Sequence, residues 1–156
     1  MKYLVFLILF LILNCNEKES SINISDITEI VYVSNNDIFN ITNNYYLLDE
    51  RYKEPGKHSL MMSKDEINLI KKAVVDEKIY KLDDSLRFVK SCKIACLSEI
   101  IIHYKSGRKQ HFIFDNSNYK NNFNNRSYKK IIKIEDKIGE IYRSKKIDPE
   151  TVNVYL

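Results

Sequence analysis

Glu99-Ile100-Ile101-Ile102-His103-Tyr104-Lys105-Ser106-Gly107-Arg108-Lys109-Gln110-His111-Phe112-Ile113-Phe114-Asp115 is the stretch that decides the fold. Two runs rich in β-branched and aromatic residues flank a short polar break containing glycine, which is the signature of a β-hairpin. A two-residue turn on Ser106-Gly107 pairs Lys105 with Arg108. In that register His103 faces Gln110 and His111 faces Ile102. One face then carries Ile101, Phe112 and Phe114, and the other carries Ile100, Ile102, Tyr104 and Ile113. Both are apolar, whereas a sheet covered on one side shows polar residues on the other. Either the chain's own helices and loops cover both faces, or one face binds something.

Working outward, Ile27 to Val33 alternates and is β-branched, and reads as a strand. Ser34-Asn35-Asn36-Asp37 is a turn cluster. A second strand lies within Ile41 to Tyr52, centred on Tyr45-Tyr46-Leu47-Leu48, and Pro55-Gly56 marks a loop. Ser63-Lys64-Asp65-Glu66 is a capping box. Ile67, Ile70 and Val74 follow at helical spacing, so a helix runs to about Lys78. Beyond the hairpin, Asn116 to Asn125 is an Asn-rich loop. Ser127 then caps a helix from Tyr128 to about Lys145, with Ile131, Ile134, Ile138, Ile141 and Tyr142 on one side. The order ββαββα predicts an α+β fold, a four-stranded antiparallel sheet with two helices. A chain of 156 residues suits one domain, placed at residues 26–146 with a C-terminal tail at 147–156.

The first residues have a different character. Met1-Lys2 is a short positive region, and Tyr3 to Leu13 is an unbroken apolar run, too short to span a bilayer but right for the core of a signal peptide. Asn14 and Cys15 follow, and the chain then turns polar. Ile12-Leu13-Asn14-Cys15 resembles the lipobox of bacterial lipoproteins, with Asn14 standing where the family places a small residue. The resemblance implies a signal peptide at residues 1–14, acylation of Cys15, and a tether at 15–25. It places the protein in the bacterial cell envelope, lipid-anchored, on the periplasmic side or the cell surface. In its order of elements the body is similar to small uncharacterised lipoprotein domains of Gram-negative bacteria, a likeness that brings no activity with it.

Cys92 and Cys96 form the other notable local feature. Outside the cytoplasm a pair four residues apart reads as a disulfide. Free thiols, or a metal or redox pair, are the alternative readings, and C-x-x-C is absent. His103 and His111 lack the H-x₃₋₅-H spacing of zinc sites and, in the register above, point to opposite faces. His58 sits in the Pro-Gly loop without an evident partner. Asp83-Asp84 and Glu135-Asp136 read as solvated or capping carboxylates. With no nucleophile elbow, H-E-x-x-H, P-loop or G-x-G-x-x-G, nothing nominates a catalytic residue, a metal site or a cofactor.

The net charge of +4 conceals an asymmetry. From Asn16 to Leu86 there are 9 Lys+Arg against 14 Asp+Glu, and from Arg87 to Lys146 there are 15 against 5. On the last helix Lys129, Lys130, Lys133 and Lys137 lie opposite the isoleucines. Such a face is either simply wet, or a site for anionic lipid or an acidic protein partner. Nucleic acid does not suit an extracytoplasmic protein. The expectation is therefore a membrane-anchored, non-enzymatic binding module. A small periplasmic enzyme acting on envelope material and a structural envelope tether are the alternatives.

Overall fold

A computed structural model describes residues 21–34, 37–89, 96–115, 122, 124–147 and 149–152. Its strands and helices in chain order are β1 (Ile27–Ser34), β2 (Asp37–Asn40), β3 (Tyr45–Leu48), β4 (Gly56–Ser59), α1 (Lys64–Asp76), β5 (Ser85–Phe88), β6 (Leu97–Tyr104), β7 (Lys109–Asp115) and α2 (Arg126–Ser144). The strands form one sheet in the order β4-β3-β2-β1-β6-β7-β5. Neighbours are antiparallel except β5 and β7, which run parallel. Among the described residues the class is α+β with two helices, and the expected four-stranded antiparallel sheet is corrected to a seven-stranded mixed one.

Gly107 explains the hairpin register. Its φ of +84° is left-handed, a conformation that glycine adopts at little cost. Its N–H donates to Tyr104 O at 2.9 Å, and the Tyr104 N–H donates to Arg108 O at 3.0 Å. The loop is therefore three residues, Lys105–Gly107, closed by a residue at positive φ. That is one residue more than a two-residue turn allows, so Ile100 lies opposite Phe112, Ile101 opposite His111 and Ile102 opposite Gln110. A slip of one residue sends every side chain of a strand to the other face. Ile100, Ile102, Tyr104, Phe112 and Phe114 thus share one face, and all are buried. Glu99, Ile101, His103, Lys109, His111 and Ile113 share the other. The expectation of two apolar faces is overturned, and so is the separation of His103 from His111.

Both helices pack on the buried face. In α1 the predicted capping box is in place: Ser63 Oγ accepts from Glu66 N at 3.2 Å, and Glu66 Oε2 accepts from Ser63 N at 2.7 Å. Ile70 and Val74 of this helix are buried. Helix α2 begins two residues earlier than predicted, because Asn125 rather than Ser127 is the cap, its Oδ1 accepting from Tyr128 N at 3.1 Å. Ile131, Ile134, Ile138 and Ile141 enter the core as the spacing required. Phe39 meets Tyr142 edge-on at 5.1 Å and Phe88 meets Tyr128 at 5.5 Å, which fixes α2 against strands on both sides of the sheet centre. In β1 a bulge between Ile27 and Glu29 lets both Ile27 and Ile30 point inward.

The parallel strand β5 is held at its entry by side chains of the hairpin. Arg108 pairs with Asp84 at 2.6 Å and donates to Leu82 O at 2.9 Å. Gln110, fully buried, donates to Ile79 O and Leu82 O at 3.2 and 2.8 Å and accepts from Tyr104 OH. Replacing it leaves two buried polar groups, the Tyr104 hydroxyl and the Ile79 carbonyl, without this partner, while Leu82 O keeps its bond from Arg108. Gln110→Leu should therefore destabilise the fold by about 1–3 kcal/mol, read as a lowered urea midpoint; an unchanged midpoint would contradict this role.

Candidate functional site

The face of the sheet opposite the helices has an ordered composition. Through the strand registers, Lys57, Leu47, Ile38, Val33, Glu99, Ile113 and Arg87 stand side by side across all seven strands. The neighbouring row runs Ser59, Tyr45, Asn40, Val31, Ile101, His111 and Ser85. Leu47, Ile38, Val33, Val31, Ile101 and Ile113 thereby form an apolar stripe broken by one carboxylate. Five of them are half-buried and Ile38 is exposed. Among the described residues no helix lies over it. Charges bracket the stripe: Lys57 Nζ sits 3.9 Å from the centre of the Tyr45 ring at one edge, and Arg87 stands at the other.

The two histidines that share this face each meet a carboxylate. His111 Nε2 lies 2.7 Å from Glu99 Oε2, and His103 Nδ1 lies 3.7 Å from Glu29 Oε2. Glu29 also accepts from Asn40 Nδ2 at 2.7 Å, which ties β1 to β2. Among the described residues no group of three His, Cys, Asp or Glu side chains is placed to hold a metal ion.

A second concavity opens on the helical side, between the C-terminal half of α2 and the end of the β1–β2 pair. It is a cleft open to solvent, of about 260 Å³, between Tyr32, Asp37, Phe39, Ile41, Leu60, Met62, Ile138, Gly139, Tyr142 and Arg143. A more open groove of about 630 Å³ adjoins it and shares Tyr32, Gly139 and Arg143. Tyr32 OH donates to Glu135 Oε1 at 2.8 Å. Burial first, and then the negative charge of Glu135, pushes the Tyr32 phenol up to about 12. Tyr52 OH donates to Asp37 Oδ2 at 2.7 Å, and that bond, followed by burial, raises its phenol to about 12 as well.

Of the residues singled out from sequence, Cys15 and Cys92 lie outside the described residues, and Cys96 stands at the foot of β6. The geometry of a Cys92–Cys96 bond therefore lies outside them too. The four lysines of α2 are on the helix, but they do not form an uncompensated face. Lys133 pairs with Glu77 of the α1 C-cap and Lys137 with Glu140, each at 2.6 Å, and Lys129 also has a partner. His58, expected in a loop without a partner, is in β4, stacked on Tyr46 with its Nε2 2.8 Å from Glu54 O. Asp84 is a solvated carboxylate, as expected, that also pairs with Arg108, and Glu135, half-buried, accepts from Tyr32. The two-residue turn register places Ile101 and Ile113 on opposite faces and so breaks up the open stripe, whereas the cleft is lined by β1, β2, α2 and the segment before α1 and is assembled only by the fold. Among the described residues no helix is long and apolar enough to cross a membrane. No protein-family model, curated protein or solved structure matches the chain.

The raised phenols make a pH prediction. A phenol raised from 10.0 to about 12 stays protonated in the folded state where the unfolded chain has ionised. Its contribution is intact below pH 10 and is lost as the pH rises towards 12. Urea midpoints should fall across that window, and Tyr32→Phe should make the fall shallower. A slope identical to that of the parent protein would refute burial of this hydroxyl.

Proposed function

We propose that the protein is a membrane-anchored envelope lipoprotein, acylated on Cys15, whose α+β body is a non-enzymatic binding module. The anchoring half of this reading is supported by the eleven-residue apolar run Tyr3–Leu13 and the Ile12-Leu13-Asn14-Cys15 sequence that follows it. Each buried methylene contributes about 0.8 kcal/mol, and stable anchoring takes more than one chain, which a lipobox cysteine carries. The bilayer is thus the first partner. A Cys92–Cys96 disulfide belongs to the same reading, because that compartment oxidises paired cysteines.

The observation that carries the binding half is the apolar stripe on the sheet face opposite the helices. An apolar patch rimmed by charge is the surface character of a protein-docking site. Its charged members are of both signs, Glu99 inside and Lys57 and Arg87 at the rim, which suits a protein partner better than a uniformly anionic lipid surface. The lysines of α2, whose charge is partly neutralised by Glu77 and Glu140, are the lesser contact.

Two substitutions separate the halves. Cys15→Ala should abolish incorporation of labelled palmitate and release the protein from the membrane fraction; unchanged membrane association would refute the anchor. Ile101→Lys places a charge in the middle of the stripe at a half-buried surface position, where the effect on stability should stay within about 1 kcal/mol. It should eliminate a stoichiometric partner recovered with the parent protein from detergent-solubilised envelope. Equal recovery by parent and variant would place the partner elsewhere on the molecule.

A further inference from the structure

The cleft beside α2 has a floor and a rim of different chemistry. Phe39, Ile41, Leu60, Ile138 and Tyr142 form an apolar floor that reaches into the core. The cleft's volume of about 260 Å³ exceeds the roughly 150 Å³ of an engineered apolar cavity that takes up benzene, so it has room for an aliphatic chain of about eight to ten carbons.

The charges at the rim are unequal in how far they are matched. Asp37 accepts from Arg51 Nη2 at 3.0 Å and from Tyr52 OH at 2.7 Å, so its charge is answered within the fold. Glu135 is an acceptor for Tyr32. Arg143 acts at a distance on Glu140, which is paired directly with Lys137 at 2.6 Å. Arg143 is exposed and borders both the cleft and the groove beside it.

Gly139 explains where that guanidinium rests. A Cβ built on Gly139 would come within 3.3 Å of Arg143 Nη1, so the guanidinium lies back over the glycine at the rim. An interior helical glycine costs about 1 kcal/mol relative to alanine. Here its missing side chain leaves room for the guanidinium beside it, at the border of the cleft.

We propose that this cleft binds a single medium-length aliphatic chain ending in a carboxylate, with the tail on Ile41, Leu60 and Ile138 and the carboxylate on Arg143. The occupant is a fatty acid or a close relative, taken up one molecule per chain. The site does not depend on acylation of Cys15, and its test is run on the Cys15→Ala full-length chain, which removes any acyl group on that cysteine as a competing occupant. The probe is a decanoic acid carrying a diazirine in its tail, photolysed below its micelle concentration and mapped by mass spectrometry.

Labels should fall on peptides containing Phe39–Ile41, Leu60 or Ile138–Tyr142. Decanoate should suppress them at least tenfold better than decyltrimethylammonium, and Arg143→Gln should weaken labelling about tenfold, as loss of a charge-assisted hydrogen bond does. Gly139→Leu should abolish labelling, with thermal unfolding reporting that the chain remains folded. Labels elsewhere, equal competition by the cationic amphiphile, or undiminished labelling of folded Gly139→Leu would each overturn the proposal. None of these outcomes bears on whether Cys15 is lipidated, so the two readings fail separately.

Discussion

The rest of the structure depends on the hydrogen bond from Gly107 N–H to Tyr104 O and the positive φ that accompanies it. Together they set a three-residue loop, and the loop sets which residues of β6 and β7 face the helices. A slip of one residue in β7 would withdraw Phe112 and Phe114 from the core and offer His111 and Ile113 in their place. Burying a large apolar side chain contributes about 1.5–3 kcal/mol, so the exchange of two phenylalanines for one isoleucine and a histidine is unfavourable by roughly 3 kcal/mol. Turn geometry and burial thus select the same register. Because β6 is paired with both β1 and β7, the same choice passes to the remaining strands and fixes which side of the whole sheet the helices cover.

The uneven charge of the two halves is taken up in the same architecture. Acidic residues of the first half meet basic residues of the second in three pairs: Glu66 with Lys145, Glu77 with Lys133 and Asp84 with Arg108. Two of these join the C-terminal helix to α1 and its cap. Lys145, followed by the Ser63 backbone, holds the Glu66 carboxyl below the ordinary range, so the capping box and the helix–helix pair share one carboxylate. The exposed members of this set, Glu77 with Lys133 and Asp84 with Arg108, contribute little each, about 0–1 kcal/mol. Their consequence is orientation: they match the acidic half to the basic half and leave less free charge on α2 than its sequence suggests.

Much of this was legible from residues alone. The capping box at Ser63 and Glu66, the isoleucine stripe of α2 and the strand at Tyr45–Leu48 follow from side-chain period and local hydrogen bonding, and they stand as read. What was not legible was short or non-local. Strands β2, β4 and β5 have four residues each, as β3 does, but they carry Asp, Asn, Gly or Ser where β3 has the unbroken Tyr-Tyr-Leu-Leu. Strand β5 also pairs in parallel with β7, more than twenty positions away, and no local pattern announces such a partner. The register error was subtler. Ser106-Gly107 satisfies a two-residue turn as well as a three-residue one, and only the burial of Phe112 and Phe114 distinguishes them. The polar residues of the cleft were hidden for a related reason: Glu135 and Asp37 acquire their roles from Tyr32, Arg51 and Tyr52, which the fold brings to them.

The stripe that carries the proposed binding function rests on this assignment of faces, because Ile101 and Ile113 belong to it only in this register. The most direct measurement is the set of cross-strand nuclear Overhauser effects between β6 and β7. Tyr104 N–H donates to Arg108 O, so in the alternating antiparallel ladder Ile101 and His111 form a close, non-hydrogen-bonded pair with Cα atoms about 4.5 Å apart. A strong contact between the α protons of Ile101 and His111 is the predicted result. A contact linking the α protons of Ile102 and His111 in its place would contradict the register, and with it the division of the sheet into a covered and an open face.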